Sequence, residues 1–197
     1  MVTCEFLFDL GSAYSYLAST QLGGLEQRTG ATVELVPVVL GGIFKAVGVA
    51  GVPAAPRLAW MQRDVTLWTQ RYGVPLIFPS AFPVRSVLGL RTVVAAAQGA
   101  PGDARKAMHA LFAATWARDL DLARPEVVKA ALDEAGLDGA ALVAKADDPA
   151  IKDKLRANTE HAIERGAFGA PTFFVDEQFF FGNDRLDFVE AALRANR

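Results

Sequence analysis

Strand-forming sequence occurs only near the two ends of this chain, and that separation limits the fold more than any other feature. Residues 3–10 (TCEFLFDL) are rich in aromatic and aliphatic side chains and alternate as a strand does. Thr32–Leu40 is β-branched and apolar, which suits a second, buried strand. Strand signals return only at Thr172–Val175 and Gln178–Phe181, two short runs around Asp176-Glu177 that read as a hairpin with a two-residue turn. From Arg57 to about Arg165 the periodicity is helical almost throughout. A sheet must therefore be assembled from both ends of the chain, with a helical excursion leaving it and coming back.

The elements between follow from local signals. Ala13–Gln27 carries apolar residues at helical spacing, so the first forty residues read β-α-β, long enough for a parallel crossover. Residues 41–56 are rich in Gly, Pro and Ala and read as an irregular loop. Helices are expected at Arg57–Tyr72, Val84–Gln98, from an Asp103 N-cap to about Arg118, at Arg124–Ala135, Asp138–Ala146 and Pro149–Arg165. Asn183 is expected to cap a last helix, Asp184–Ala195. This order predicts an α/β, thioredoxin-like fold with a large all-helical insertion. Residues 1–40 and 166–197 would form a discontinuous thioredoxin-like domain, and 41–165 the helical insertion domain.

Composition narrows the partners. Twenty basic residues oppose 22 acidic ones in 197, a net charge of −2 with both signs mixed along the chain. There is no basic stripe of the kind nucleic acid or anionic lipid demands. Uncharged stretches such as Leu35–Phe44 are too short and too broken by Gly and Pro for a membrane span, and the N-terminus has no signal-peptide pattern, so a cytoplasmic protein is expected. Cys4 is the only cysteine. His109 and His161 stand far apart without ligand spacing and read as ordinary helix residues, so no metal site is expected. The aromatics Phe44, Trp60, Trp68, Phe78, Phe82 and Trp116 are mostly core residues by default, and some could instead line a pocket for a planar substrate.

Three short segments can carry chemistry. Ser12 sits where the first strand hands over to the first helix, a place that favours an anion. Redox proteins of such folds put Cys-x-x-Cys there; this chain has Ser12-Ala13-Tyr14-Ser15 and cannot form that disulfide, yet the turn could stabilise a thiolate brought by another molecule. A plain N-cap is the simpler reading of Ser12 alone. Pro171, at the start of the third strand, would turn the backbone of Ala170 toward Ser12 if the bond between them is cis, offering an edge for an extended peptide. Asn183 and Asp184 open the last helix. They serve either as a cap or as a clamp in which helix N–H groups take an α-carboxylate and Asp184 an α-ammonium.

Together these segments resemble a known family. FDLGSAYSYLA (residues 8–18), GAFGAPTFFV (166–175) and FGNDRLDFVE (181–190) are similar to motifs of the 2-hydroxychromene-2-carboxylate isomerases, relatives of the kappa-class glutathione transferases. So are Asp64, Trp68 and Tyr72 with the following Gly-Val-Pro, and Phe82-Pro83. The resemblance covers essentially the whole chain. It implies glutathione as cofactor, a small aromatic substrate and a homodimer, with a role in degrading aromatic hydrocarbons such as naphthalene. It also implies that Ser12 is the catalytic serine that hydrogen-bonds the glutathione thiolate. Ala170 before cis-Pro171 would pair with the cysteinyl part, Asn183 and Asp184 would clamp the γ-glutamyl end, and Arg57 falls near the position for the glycine carboxylate. The implied reaction is cis–trans isomerisation of the ring-opened substrate to trans-o-hydroxybenzylidenepyruvate by reversible thiolate addition. The alternative is a kappa-like transferase that consumes glutathione. Two residues depart from the pattern: Ala13 stands where proline is usual, and Arg85 where many relatives have Asn, which bears on the substrate pocket.

Overall fold

A computed structural model describes residues 2–51 and 53–196. Four strands form one mixed sheet in the order β2-β1-β3-β4, where β1 is Thr3–Phe8, β2 Thr32–Pro37, β3 Thr172–Val175 and β4 Gln178–Phe181. β1 runs parallel to β2, with Phe6 opposite Leu35, and antiparallel to β3, with Phe6 opposite Phe173. The two ends of the chain thus meet at the centre of the sheet. This is the thioredoxin-like fold with a helical insertion that the order of signals predicts. β3 and β4 have the expected bounds, and Asp176 takes a positive φ of 51° in the turn between them.

Strand alternation sends side chains to two faces. Cys4, Phe6 and Phe8 of β1 enter the main core, where Phe6 stacks on Phe8 and on Phe173 with ring centroids 5.3 and 5.2 Å apart. Leu7 and Phe174 point the other way, onto a smaller cluster with Val38, Ile43 and Ala162. The helices after β1 are α1 (Ala13–Ser19) and α2 (Leu22–Thr29); after β2 come α3 (Leu40–Ala46) and α4 (Ala55–Tyr72). The insertion continues with α5 (Val87–Ala96), α6 (Asp103–Trp116), α7 (Pro125–Glu134), α8 (Gly139–Lys145) and α9 (Pro149–Glu164). A 3-10 turn, Asn183–Arg185, leads into α10 (Leu186–Ala195). No described helix is long and apolar enough to cross a membrane.

The insertion shares its core with the sheet. Phe112 of α6 lies 5.8 Å from Phe8 and 5.9 Å from Tyr16. A Cβ on Gly89 of α5 would come within 2.8 Å of Leu10 Cδ1, so glycine is what lets α5 lie close to the end of β1. Fully buried Trp116 closes the joint: its Nε1–H donates to the Leu10 carbonyl at 2.8 Å.

Several boundaries differ from the sequence reading. The expected helix over Ala13–Gln27 is two helices, broken at Thr20-Gln21. The second strand stops at Pro37, because from there the backbone leaves the ladder and Leu40 N–H turns to a side-chain acceptor, Asp9. Part of the expected loop at 41–56 is helix α3, held by buried Ile43; Val52 of that stretch lies outside the described residues. α5 begins at Val87, three residues later than expected, after a cis Phe82-Pro83 bond and an extended approach. Asp103 is the first residue of α6 and not its N-cap; Gly102 caps it at φ 93°, and the Asp103 carboxylate reaches back to Ala100 N–H. Asn183 makes no side-chain cap, since the 3-10 turn precedes α10. Trp60 is 60% exposed and is no core residue.

Replacing Trp116 by Phe should keep the ring against Phe78, 5.9 Å away edge-on, and strand the buried Leu10 carbonyl. A loss of about 1–3 kcal/mol is expected, read in urea unfolding as a lower midpoint with an unchanged slope.

Candidate active site

β1 ends at Phe8, and the chain turns sharply into α1. Ser12 N–H donates to the Asp9 carbonyl at 2.9 Å and closes the turn. Ser12 has extended backbone (φ −100°, ψ 115°), and its Oγ accepts from Ser15 N–H at 3.2 Å. It is therefore a true N-cap, as the simple reading holds. The hydroxyl also has a proton to give, and it donates to the Ala170 carbonyl at 2.9 Å across 158 residues of sequence. That bond is not part of any cap.

The Ala170–Pro171 bond is cis. The Pro171 carbonyl accepts from Gly182 N–H at 3.0 Å, and the next residues are Asn183 and Asp184. Ser12, Ala170, Pro171, Asn183 and Asp184, read from three separate segments, thus lie along one connected path. Ser12 is 7% and Asn183 2% exposed, whereas Asp184 is exposed and pairs with Arg185 at 3.1 Å. The Asn183 Nδ2 is buried and has no hydrogen-bond partner among the described residues. Arg57 is exposed in the first turn of α4 and touches this group only electrostatically, through Tyr14.

Three further residues tie α4 to the site, Tyr14, Asp64 and Tyr72, which carry no predicted role beyond the resemblance. Tyr14 Oη donates to Asp64 Oδ2 at 2.8 Å. Burial pushes the Tyr14 phenol up, and the bond to Asp64 and the nearby Asp184 add to this while Arg57 opposes it. Tyr72 Oη donates to the Asn183 carbonyl at 3.1 Å. The spacing of Asp64, Trp68 and Tyr72 places all three on one face of α4, a signal legible in advance, but their partners on α1 and the 3-10 turn are not. The departures sit differently. Ala13 is buried in α1, and Arg85 is exposed and turned to Asp121 at 3.4 Å.

The fourth residue the sequence reading passed over is Asp9. It is 3% exposed, with no cation within ion-pair distance among the described residues. Its two carboxylate oxygens accept from Gly11 N–H and Leu40 N–H, both at 2.7 Å, and the Ser86 hydroxyl bonds it as well. Burial drives its carboxyl above the usual range, against those three donors. Cys4 is likewise buried, and burial pushes its thiol up to about 12, so it stays protonated at neutral pH. The two histidines are exposed on α6 and α9.

The Ser12 hydroxyl and the Ala170 carbonyl can do something together. If the hydroxyl turned to an incoming anion, the carbonyl would be left free to accept an N–H from the same ligand. The pair suits an anion carried next to a peptide group.

Asp9 generates a pH prediction. Below about pH 4 an aspartate is protonated in folded and unfolded chains alike. As pH rises, the unfolded chain gives up this proton first. Up to the raised folded pKa, the folded chain therefore binds more protons and the group subtracts from stability. Against an Asp9→Asn variant, wild-type stability measured by urea unfolding should fall as pH rises from 4 to 8. A difference independent of pH would mean that Asp9 ionises as easily folded as unfolded.

Comparison with known proteins places this geometry. Residues 3–194 match the DSBA-like thioredoxin domain. The chain is 34% identical over 194 residues to the 2-hydroxychromene-2-carboxylate isomerase of Sphingobium xenophagum, covering 97% of each chain. It is 29% identical over 200 residues to human glutathione S-transferase kappa 1, covering 95% of this chain and 88% of that one. A solved structure of a 2-hydroxychromene-2-carboxylate isomerase superposes with a TM-score of 0.86 at 29% identity, over 98% of this chain and 95% of the other. Matched over nearly its whole length in sequence and in backbone, this chain belongs to the DSBA-like thioredoxin-domain family and, within it, to the enzyme family of the 2-hydroxychromene-2-carboxylate isomerases.

Proposed function

We propose that this protein is a glutathione-dependent cis–trans isomerase that converts 2-hydroxychromene-2-carboxylate to trans-o-hydroxybenzylidenepyruvate. The observation that carries this reading is the Ser12 hydroxyl resting on the Ala170 carbonyl at 2.9 Å. A hydroxyl so placed is a donor waiting for an anion, and the carbonyl it covers is an acceptor waiting for a peptide N–H.

The residues present fit glutathione. Ser12 would donate to its sulfur, and the backbone of Ala170 would pair with its cysteinyl unit. The buried, unpartnered Nδ2 of Asn183 is a donor suited to a carboxylate oxygen, and exposed Asp184 an acceptor suited to an ammonium. Arg57, exposed at the start of α4, suits the other carboxylate. When bound, glutathione would supply a thiolate able to add to a conjugated carbon and leave again, so that a double bond is a rotatable single bond in the interval and the thiol is not consumed.

The chain's own part is electrostatic and positional. Ser12 would stabilise negative charge on sulfur by donating its hydroxyl proton as a hydrogen bond, and Ser15 N–H fixes the Ser12 oxygen meanwhile. Tyr14 and Asp64 hold α4 against α1, which keeps Arg57 and Asp184 on the same side of the turn. Cys4, buried and protonated, takes no part. The same reading includes a small aromatic substrate, a homodimer and a cytoplasmic location, as the resemblance implies.

A second reading is favoured by the 29% identity to human glutathione S-transferase kappa 1. It uses the same residues to join glutathione permanently to an electrophile. One assay separates the two: 2-hydroxychromene-2-carboxylate followed spectrophotometrically, with and without catalytic glutathione, while free thiol is titrated. Isomerisation that needs glutathione and leaves the thiol titre constant is the expected result. A falling titre would mean the transferase. Ser12→Ala should raise the barrier by about 2–4 kcal/mol, roughly 30- to 1,000-fold in rate. Full activity in that variant would remove Ser12 from the chemistry.

A further inference from the structure

We propose that a second site, built between α3, α5 and α9, binds a small hydrophobic carboxylate. A cleft of about 340 Å³ lies there, and it shares no lining residue with the Ser12 site. That volume falls at the lower end of the roughly 300–1,000 Å³ range of small-molecule pockets.

The cleft combines two kinds of wall. Val39, Val87, Leu155 and Ile163 line it with aliphatic carbon. Arg91, Lys152 and Arg156 add three cations against one acid, Glu160. The cations are not equivalent. Lys152 is engaged by Asp147 at 2.9 Å, and Arg156 by Asp153 at 2.9 Å and by Glu160 at 3.8 Å. Arg91 makes no hydrogen bond and no ion pair among the described residues, and its Nε is buried without an acceptor. An anion in the cleft would not reach that sunken Nε; it would pair with the outer N–H groups of the same guanidinium, which also have no hydrogen-bond or ion-pair partner among the described residues.

The remaining polar group in the wall is already committed. Thr159 Oγ1 accepts from Val39 N–H at 3.0 Å and donates to the Leu155 carbonyl at 2.9 Å. The cleft therefore offers aliphatic carbon for an apolar body and a guanidinium for one negative oxygen pair. A carboxylate matches the planar fork of arginine. A neutral apolar molecule would leave Arg91 unsatisfied, and a highly charged ion such as phosphate would waste the aliphatic walls.

The test uses 1-naphthoate on the full-length protein, read by amide chemical shifts, with 1-naphthalenemethanol as the uncharged analogue and decanoate as the flexible one. Saturable shifts are expected at Gly42 and along Arg156–Glu160, with the alcohol about tenfold weaker or worse. Comparable binding of decanoate would point to aliphatic acids as the natural class, and its absence to aromatic ones; either is a carboxylate. Arg91→Gln should weaken binding about tenfold. Glu160→Gln, which removes the opposing charge and leaves Arg91 in place, should tighten it, so a poorly folded Arg91 variant does not leave the matter open. Shifts confined to Ser12 and Ala170, equal binding of the alcohol, or affinity unmoved by both variants would overturn the proposal. Because the readout is the position of the shifts, failure here would not touch the glutathione reading, nor the reverse.

Discussion

Asp9 is the residue on which the site's construction rests. It stands just past the end of β1 and is buried with no counter-cation among the described residues, so backbone and hydroxyl donors must satisfy it. Those donors come from three places: the Ser12 turn, the start of α3 and the approach to α5. One carboxylate therefore fixes the Ser12 turn relative to the chain leaving β2 and to the insertion. The next residue repeats the arrangement, since the Leu10 carbonyl takes the Trp116 N–H from α6. Two consecutive residues at the end of one strand thus anchor most of what surrounds Ser12. Removing either acceptor would leave buried donors unmatched in elements far apart in sequence, which is why such a joint tolerates little variation.

The insertion is accordingly no appendage. A four-stranded sheet with short β3 and β4 has limited area to cover, and two of its helices, α1 and α10, come from the chain ends. α6 supplies the ring of Phe112 against Phe8 and Tyr16, so the core on the face that carries β1's aromatics is not complete without insertion residues. The same folding event that buries Phe6 and Phe8 also brings α4 beside α1. There Tyr14 meets Asp64 and Tyr72 meets Asn183. Core packing and site assembly are in this sense one process, driven by apolar burial and finished by a few directed hydrogen bonds.

What was legible in the sequence follows from which interactions are local. β3, β4 and their turn were read to the residue because alternation and turn chemistry are encoded within about ten positions. Pro125 and Pro149 marked helix starts for the same reason. The helix α3 was hidden because its sequence, with two glycines, has low propensity; it forms because Ile43 is buried under β2's flank and Leu40 N–H has Asp9 to bond. Ser12, Ala170 and Asn183 could be suspected from strand–helix junctions, but that Ser12 and Ala170 touch is a fact of 158 residues' separation. Asp9 falls inside the expected strand, residues 3–10, and has no separate signal of its own. Nothing local distinguishes such a residue from one that turns inward to three donors. Tyr14, Asp64 and Tyr72 carried a helical spacing without a partner, and partners across an insertion leave no periodic trace.

The substitution of serine for cysteine at the turn then determines what kind of chemistry the fold can support. A thiol in that position would react; a hydroxyl there cannot form a disulfide and is a far weaker acid than a thiol, so it is suited to orienting and hydrogen-bonding. The one cysteine in the chain is on β1, buried and held protonated. A reactive sulfur at this turn would therefore have to come from another molecule, and what the turn offers is a donor at Ser12, a backbone carbonyl at Ala170 and an amide at Asn183 that is unpaired among the described residues. The Ser12 hydroxyl is meanwhile satisfied within the fold, donating to the Ala170 carbonyl at 2.9 Å and accepting from Ser15 N–H at 3.2 Å.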